Sequence, residues 1–198
     1  SEPDEHGQSF YFKVNGHPVF MKGANYIPSD SFLNRVDHQK HRQTFEDAVS
    51  ANMNMLRVWG GGVYQDDVFY DLADEYGILI WQDFMFACTL YPADDNFLDS
   101  VAQEARANIL RLRHHPSLAM WCGNNEVEMA IADWQWPEKF GYSEQLQRKL
   151  QLDYETLFHD LLPLLVAELD NQRFYLSSSP IGHWEHPEQD GKGNHHYW

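Results

Sequence analysis

The stretch LAMWCGNNE, residues 118–126, joins an apolar run to three side chains that all form hydrogen bonds. Unpaired polar groups are costly away from water, so a buried strand ending in Asn124, Asn125 and Glu126 must deliver them to partners or to a cleft. Glu126 has the type and setting for proton transfer. A carboxyl at the mouth of a cleft, between apolar walls, has its pKa raised and can donate a proton near neutrality. The alternative is a glutamate that opens a loop, caps a helix N-terminus or pairs with Arg57.

Other residues with possible chemistry lie at comparable points. Arg57 sits inside the apolar run MLRVWGGG, and a buried arginine needs a carboxylate; Asp83, at the end of ILIWQDF, is the expected partner. Structural pairing and support of a site are both open for these two. The chain holds 7 Trp, 10 Tyr and 12 Phe. Aromatics fill cores, and they also form platforms for the apolar faces of sugar rings. Trp59 and Trp134 are candidate stacking walls, the second grouped with Trp136 and Pro137. Asn125 can hydrogen-bond a sugar hydroxyl, or its side chain can simply end the strand in an Asx-turn. Gly60, Gly61 and Gly62 lack the Lys-Ser/Thr of a phosphate loop and read as a tight turn. His114-His115 precede Pro116 at a helix end and read as a cap. No zinc site is expected from these histidines or from Asn194-His195-His196, because the ligands are too few.

These residues require elements to hold them. FYFKVNGHPVFMKGANYIP begins as a hairpin about Asn15-Gly16, with a return strand over Val19–Gly23 that leads to Asn25. HRQTFEDAVSANM reads as a helix burying Phe45, Ala48 and Val49. DDVFYDLADEYG is a helix with acidic residues at its start and Gly77 after its end. NFLDSVAQEARANILRLRHHP is a long amphipathic helix stopped by Pro116. After a tryptophan-rich loop, residues 143–170 read as helix, kinked or divided at Pro163, and RFYLSSS is a last strand. Strand and helix alternate, and the strands are short and apolar, as in parallel sheets covered on both faces. Asn25, Arg57, Asp83 and Glu126 all fall at C-terminal strand ends, where α/β barrels and open sheets carry their sites.

Composition narrows the classes. The 198 residues suit one domain or part of a larger one. An excess of 30 acidic over 14 basic residues argues against nucleic acid and against anionic membranes. No apolar run is long enough to span a bilayer. Cys88 and Cys122 are too few for a disulfide scaffold and read as buried free thiols. No Gly-x-Gly-x-x-Gly follows a strand, which lowers a nucleotide-binding reading.

The phrases FxVNGxPVFMKGANYIPSD, NMLRVWGGGVY, ADEYGILIWQDFMFAC, RLRHHPSLAMWCGNNE and HHYW resemble the catalytic (β/α)8 TIM barrel of glycoside hydrolase family 2, most closely its β-mannosidase branch. The likeness runs along nearly the whole chain. It implies an α/β fold holding about the first five β/α units of the barrel, in one incomplete domain over residues 1–198. It implies retaining hydrolysis of terminal β-mannosides, with Glu126 matching the general acid/base and Asn125 the residue that holds the hydroxyl beside the anomeric carbon. Trp59 and Trp134 match residues lining the sugar pocket, Arg57 and Asp83 polar residues at its floor, and Asn25 and His196 further contacts. No metal or organic cofactor is implied.

One departure matters. A retaining enzyme needs a second carboxylate about 5–5.5 Å from the first, and the family's Ser-Glu-Phe-Gly-like phrase is absent. Glu128 follows the acid too closely, and Glu185 and Glu188 lie in a loop before HHYW. The expectation is an inactive portion of a larger enzyme, with open sheet edges that favour self-association. The competing readings are a family 2 enzyme of other specificity, such as an exo-glucosaminidase or β-galactosidase, and a non-catalytic carbohydrate-binding module.

Overall fold

The computed structural model describes residues 3–5, 7–181 and 193–196. Two small antiparallel pairs come first: β1 (Pro3–Asp4) with β2 (Gly7–Gln8), and β3 (Phe12–Val14) with β4 (His17–Val19). The second pair is the hairpin expected about Asn15-Gly16. Both turn residues have positive φ, 52° and 81°, the geometry that favours Asn-Gly in two-residue hairpin loops. The return strand differs from expectation: it ends at Val19, and a separate strand, β5 (Gly23–Tyr26), carries Asn25 in the main sheet.

That sheet has five parallel strands in the order β5-β6-β7-β8-β9, with β6 Met55–Val58, β7 Leu79–Asp83, β8 Leu118–Cys122 and β9 Phe174–Leu176. Each strand pairs with the next in sequence, as strand–helix units wound in one direction must. The fold is α/β, and its sheet corresponds to part of a (β/α)8 barrel.

Helices cover the outer face. α1 (His38–Ser50) starts where Asp37 accepts the Lys40 backbone N–H at 2.9 Å. It buries His41, Phe45 and Ala48, spaced to share one face. Val49, expected in that face, is exposed, because it falls one residue beyond the stripe. α2 (Asp67–Tyr76) ends at Gly77 in the left-handed region, φ +66°, where the absence of a Cβ removes the penalty. α3 (Asp95–Leu112) buries Val101, Ala105, Ile109 and Leu112, and stops before Pro116. His115 does not cap this helix. Its Nδ1 lies 2.7 Å from Asp74 Oδ2, and the Ser117 backbone N–H donates to Asp74 Oδ1 at 2.9 Å, tying α2 to the start of β8.

The segment after Glu126 is more ordered than a loop: α4 (Val127–Ala132) and α5 (Trp136–Lys139) lie there. α6 (Glu144–Glu155) then runs through a π-helical turn, Thr156–Leu161, into α7 (Leu162–Leu169). Pro163 lies in the first turn of α7. Proline has no N–H and its ring crowds the carbonyl four residues back, and the wider π turn accommodates both effects. Between helices and sheet the core includes Phe45, Phe69, Ile80, Phe84, Trp121 and Phe158. Burial of each such side chain contributes about 1.5–3 kcal/mol. No helix among the described residues is long and apolar enough to cross a membrane.

Candidate active site

The three polar residues after β8 have three different roles. Asn124 finishes the strand: its Oδ1 accepts the Val127 N–H at 3.0 Å and the Ser178 hydroxyl at 2.9 Å, and its Nδ2 donates to the Ser177 carbonyl at 2.9 Å. The Asx-type turn therefore belongs to Asn124 rather than Asn125. Asn125 bridges the loops after β7 and β9, pairing in parallel with Ala87 on one side and Ser179 on the other. Its Oδ1 accepts from Arg57 Nη2 at 2.9 Å. Glu126 follows with φ +62°, a conformation that costs a non-glycine residue roughly 1–2 kcal/mol. This turn aims its carboxylate back over the strand ends.

Arg57 organises the floor. Its Nε and Nη2 reach Asp83 Oδ1 and Oδ2 at 3.2 and 2.9 Å, and Nη1 lies 3.4 Å from Asn25 Oδ1. Asp83 is fully buried and also accepts Trp81 Nε1–H and the Gly60 backbone N–H, each at 2.9 Å. The carboxylate that a buried arginine needs is thus the expected one. Burial works against the Arg57 charge, but the adjacent Asp83 carboxylate, together with Cys122 and Glu126, outweighs it and holds the guanidinium above its ordinary pKa.

A cavity of about 400 Å³ opens above this pair, lined by Asn25, Arg57, Trp59, Cys88, Asn125, Glu126, His195 and His196. Its size falls among small-molecule pockets, which span about 300–1,000 Å³. Glu126 is only 4 % exposed. Its Oε1 lies 2.6 Å from His196 Nδ1 and its Oε2 accepts from the Cys88 thiol at 3.3 Å. His196 Nε2 in turn lies 3.1 Å from Ser179 Oγ.

Most of the sequence candidates converge here: Asn25, Arg57, Asp83, Trp59, Asn125, Glu126 and His196. Trp134 does not line this cavity. It packs on Trp136, ring centroids 5.2 Å apart, at the start of an aromatic run that continues through Phe140 to Tyr142. The expected rise in the Glu126 pKa is also corrected. Burial does push it up, but hydrogen bonds from His196, Cys88 and Asn125, with the His196 charge, outweigh burial and hold it below the ordinary value. Cys88 was not foreseen as a site residue. It is partly buried rather than buried, and it faces the cavity.

Glu126 is the one carboxylate among the described residues that line this cavity. Glu128 turns away and accepts from Tyr154 Oη at 3.0 Å, beside a separate hollow that includes Gln151 and Glu155. Glu185, Glu188, Tyr197 and Trp198 lie outside the described residues.

No protein-family model matches the chain. Over 174 residues, 88 % of its length, it is 51 % identical to a β-mannosidase of Bos taurus, covering 19 % of that protein. Along its full length, in an alignment of 204 positions, it is 40 % identical to β-mannosidase B of Aspergillus clavatus, covering 23 % of that protein. The crystal structure of a β-D-mannosidase from Dictyoglomus thermophilum superposes with a TM-score of 0.83 at 46 % identity, over 93 % of this chain and 22 % of that one. A β-glucuronidase of Bacteroides uniformis shares the fold alone, with a TM-score of 0.64 at 21 % identity over 81 % of this chain and 18 % of that one. The chain spans about a fifth of the length of the curated relatives it matches. Its sequence and its five-stranded parallel sheet together make it a β-mannosidase-like member of glycoside hydrolase family 2 that carries part of the (β/α)8 barrel.

Proposed function

We propose that this chain is the acid/base-bearing part of a retaining β-mannosidase acting on terminal β-mannosides at non-reducing ends. The observation that carries the reading is the position of Glu126, a buried carboxylate on a left-handed turn at the end of β8, facing a cavity with Asn125, Arg57 and Trp59. In this reading Glu126 gives its proton to the glycosidic oxygen as the bond to the anomeric carbon breaks. A second carboxylate, not among the described residues that line the cavity, forms the glycosyl ester. Glu126 then takes a proton from water, which attacks the ester and releases the sugar. Asn125 holds a ring hydroxyl, Trp59 stacks on the ring, and Arg57 with Asp83 keeps the floor rigid, with Asn25 and His196 as further contacts. Trp134, packed on Trp136 away from this cavity, has no part in the reading.

The lowered Glu126 pKa suits the base step. For the acid step, a leaving-group oxygen that replaces His196 on Oε1 removes the largest hydrogen-bond stabilisation of the anion, and burial then raises the pKa. Glu126→Gln in the longer enzyme should abolish hydrolysis of an aryl β-mannoside with a poor leaving group. Full activity in that variant would end the acid/base assignment.

With Glu126 the one carboxylate at the cavity among the described residues, the 198-residue chain alone should show no steady turnover. Turnover by the purified chain that Glu126→Gln abolishes would refute this. Among the described residues the outer strands of the sheet, β5 and β9, each pair on one side only, so the isolated chain should self-associate; a monomeric sedimentation profile at high concentration would count against it.

A further inference from the structure

We infer that Cys88 is a positioning residue for Glu126: its thiol, oriented by Asn125, donates to the carboxylate and couples Arg57 to the acid/base group. The inference rests on the reading of Glu126 given above and begins with an orientation argument. Arg57 has only donors, so the Asn125 atom 2.9 Å from its Nη2 is the carbonyl Oδ1. That leaves the amide Nδ2 facing Cys88, where it donates to Sγ at 3.3 Å. With its sulfur already accepting, the thiol directs its single hydrogen to the nearest acceptor, Glu126 Oε2, at 3.3 Å. The sequence of contacts is Arg57, Asn125, Cys88, Glu126, each step with a defined donor and acceptor.

Backbone geometry holds the thiol at this point. The Cys88 N–H donates to the Asn125 carbonyl and the Asn125 N–H to the Phe86 carbonyl, each at 2.9 Å. Cys88 adopts φ +46° and Glu126 φ +62°, so both ends of the thiol–carboxylate contact sit on left-handed residues. Such conformations cluster where the surrounding structure over-determines a functional geometry. Burial, with Glu126 next to it, pushes the thiol up to about 11. The sulfur therefore keeps its proton at neutral pH and acts as a donor rather than a nucleophile.

The other charged or titratable groups near Glu126 come from three elements: Arg57 on β6, with Asp83 on β7 behind it, and His195 and His196 from the last described segment. Ser179, after β9, contributes its carbonyl to the Glu126 N–H. Removing Cys88 takes a donor from Glu126 without removing a charge and leaves the Asn125 contact with Arg57 in place.

The test is a carbon-13 titration of the Glu126 carboxyl in the 198-residue chain, assigned with Glu126→Gln. Cys88→Ala should move the midpoint upward, because the anion loses a donor, and Cys88→Ser, which keeps a donor, should restore it. Equal midpoints in all three forms would overturn the inference. If Cys88→Ala does not fold, the wild-type Cys88 β-carbon shift decides: it should follow the Glu126 midpoint, and a flat response would overturn the coupling. In the longer enzyme, Cys88→Ala should move the alkaline limb of kcat/KM to higher pH. Retained hydrolysis in Glu126→Gln would sink the acid/base reading and leave the thiol coupling standing, whereas a Cys88-independent midpoint would do the reverse.

Discussion

Arg57 and Asp83 meet through two hydrogen bonds, at 3.2 and 2.9 Å, between neighbouring parallel strands and beneath the cavity. Neither side chain has more than 10 % of its surface exposed. Removing one member leaves the other charge buried, and that penalty is larger than the net worth of the pair. Asp83→Ala should therefore destabilise the chain by about 3–5 kcal/mol, read as a lowered midpoint in urea unfolding. It also strips the acceptor from Trp81 Nε1 and from the Gly60 N–H. A loss below about 1 kcal/mol, the size typical of an exposed ion pair, would mean that Arg57 finds water in this floor.

Acid stability should depend on Asp74. Burial pushes its carboxyl up, but hydrogen bonds from Ser117 and His115 outweigh burial and hold it below the ordinary carboxylate range. A depressed folded-state pKa contributes stability that is present above the unfolded-state value and lost as pH falls through the folded one. Asp74→Asn should thus flatten the acid limb of a stability–pH curve, with the difference from wild type greatest at neutral pH and vanishing at low pH. Parallel curves at all pH values would contradict this.

The thiols offer a chemical check. Cys88 is pushed up to about 11, and Cys122, fully buried, well above its ordinary value. At pH 8 roughly one Cys88 in a thousand is thiolate. A disulfide reagent should label neither cysteine quickly in the folded chain and both of the 2 cysteines after denaturation. Rapid labelling of Cys88 in the folded state would show that its proton is not shared with Glu126.

Gly123 tests the turn that leads into the site. A Cβ there would fall 2.4 Å from the Ser177 carbonyl oxygen and 2.4 Å from Tyr175 Oη. The Tyr175 hydroxyl is held by the Phe158 carbonyl at 2.8 Å. Gly123→Ala should therefore cost about 1–3 kcal/mol through overpacking, and should disturb the titration of Glu126 three residues on. Unchanged thermal stability would mean that β8 and β9 separate easily at this end.

Much of the framework is legible in the sequence because local signals agree. Asn15-Gly16 demands a hairpin, Gly77 a helix stop, and apolar runs between capped helices a covered parallel sheet. The Arg57–Asp83 pair is legible because an arginine within an apolar strand has few solutions. What is not legible depends on distant backbone. His196 lies 70 residues from Glu126, so nothing near Glu126 announces the contact that lowers its pKa. Cys88 in FMFAC reads as one more core residue until φ +46° turns it toward the cavity. Trp134 follows the acid closely in sequence, yet the short helix α4 leads it into contact with Trp136 instead.

The two left-handed residues at the cavity have a cost elsewhere. Glycine would take either backbone conformation without penalty, and each larger side chain there gives up roughly 1–2 kcal/mol. A search for thermally hardier variants would therefore tend to replace Cys88 or Glu126 with glycine, gaining robustness while erasing the groups that face the cavity. Resistance to heat and competence at the cavity pull this chain in opposite directions at these two positions.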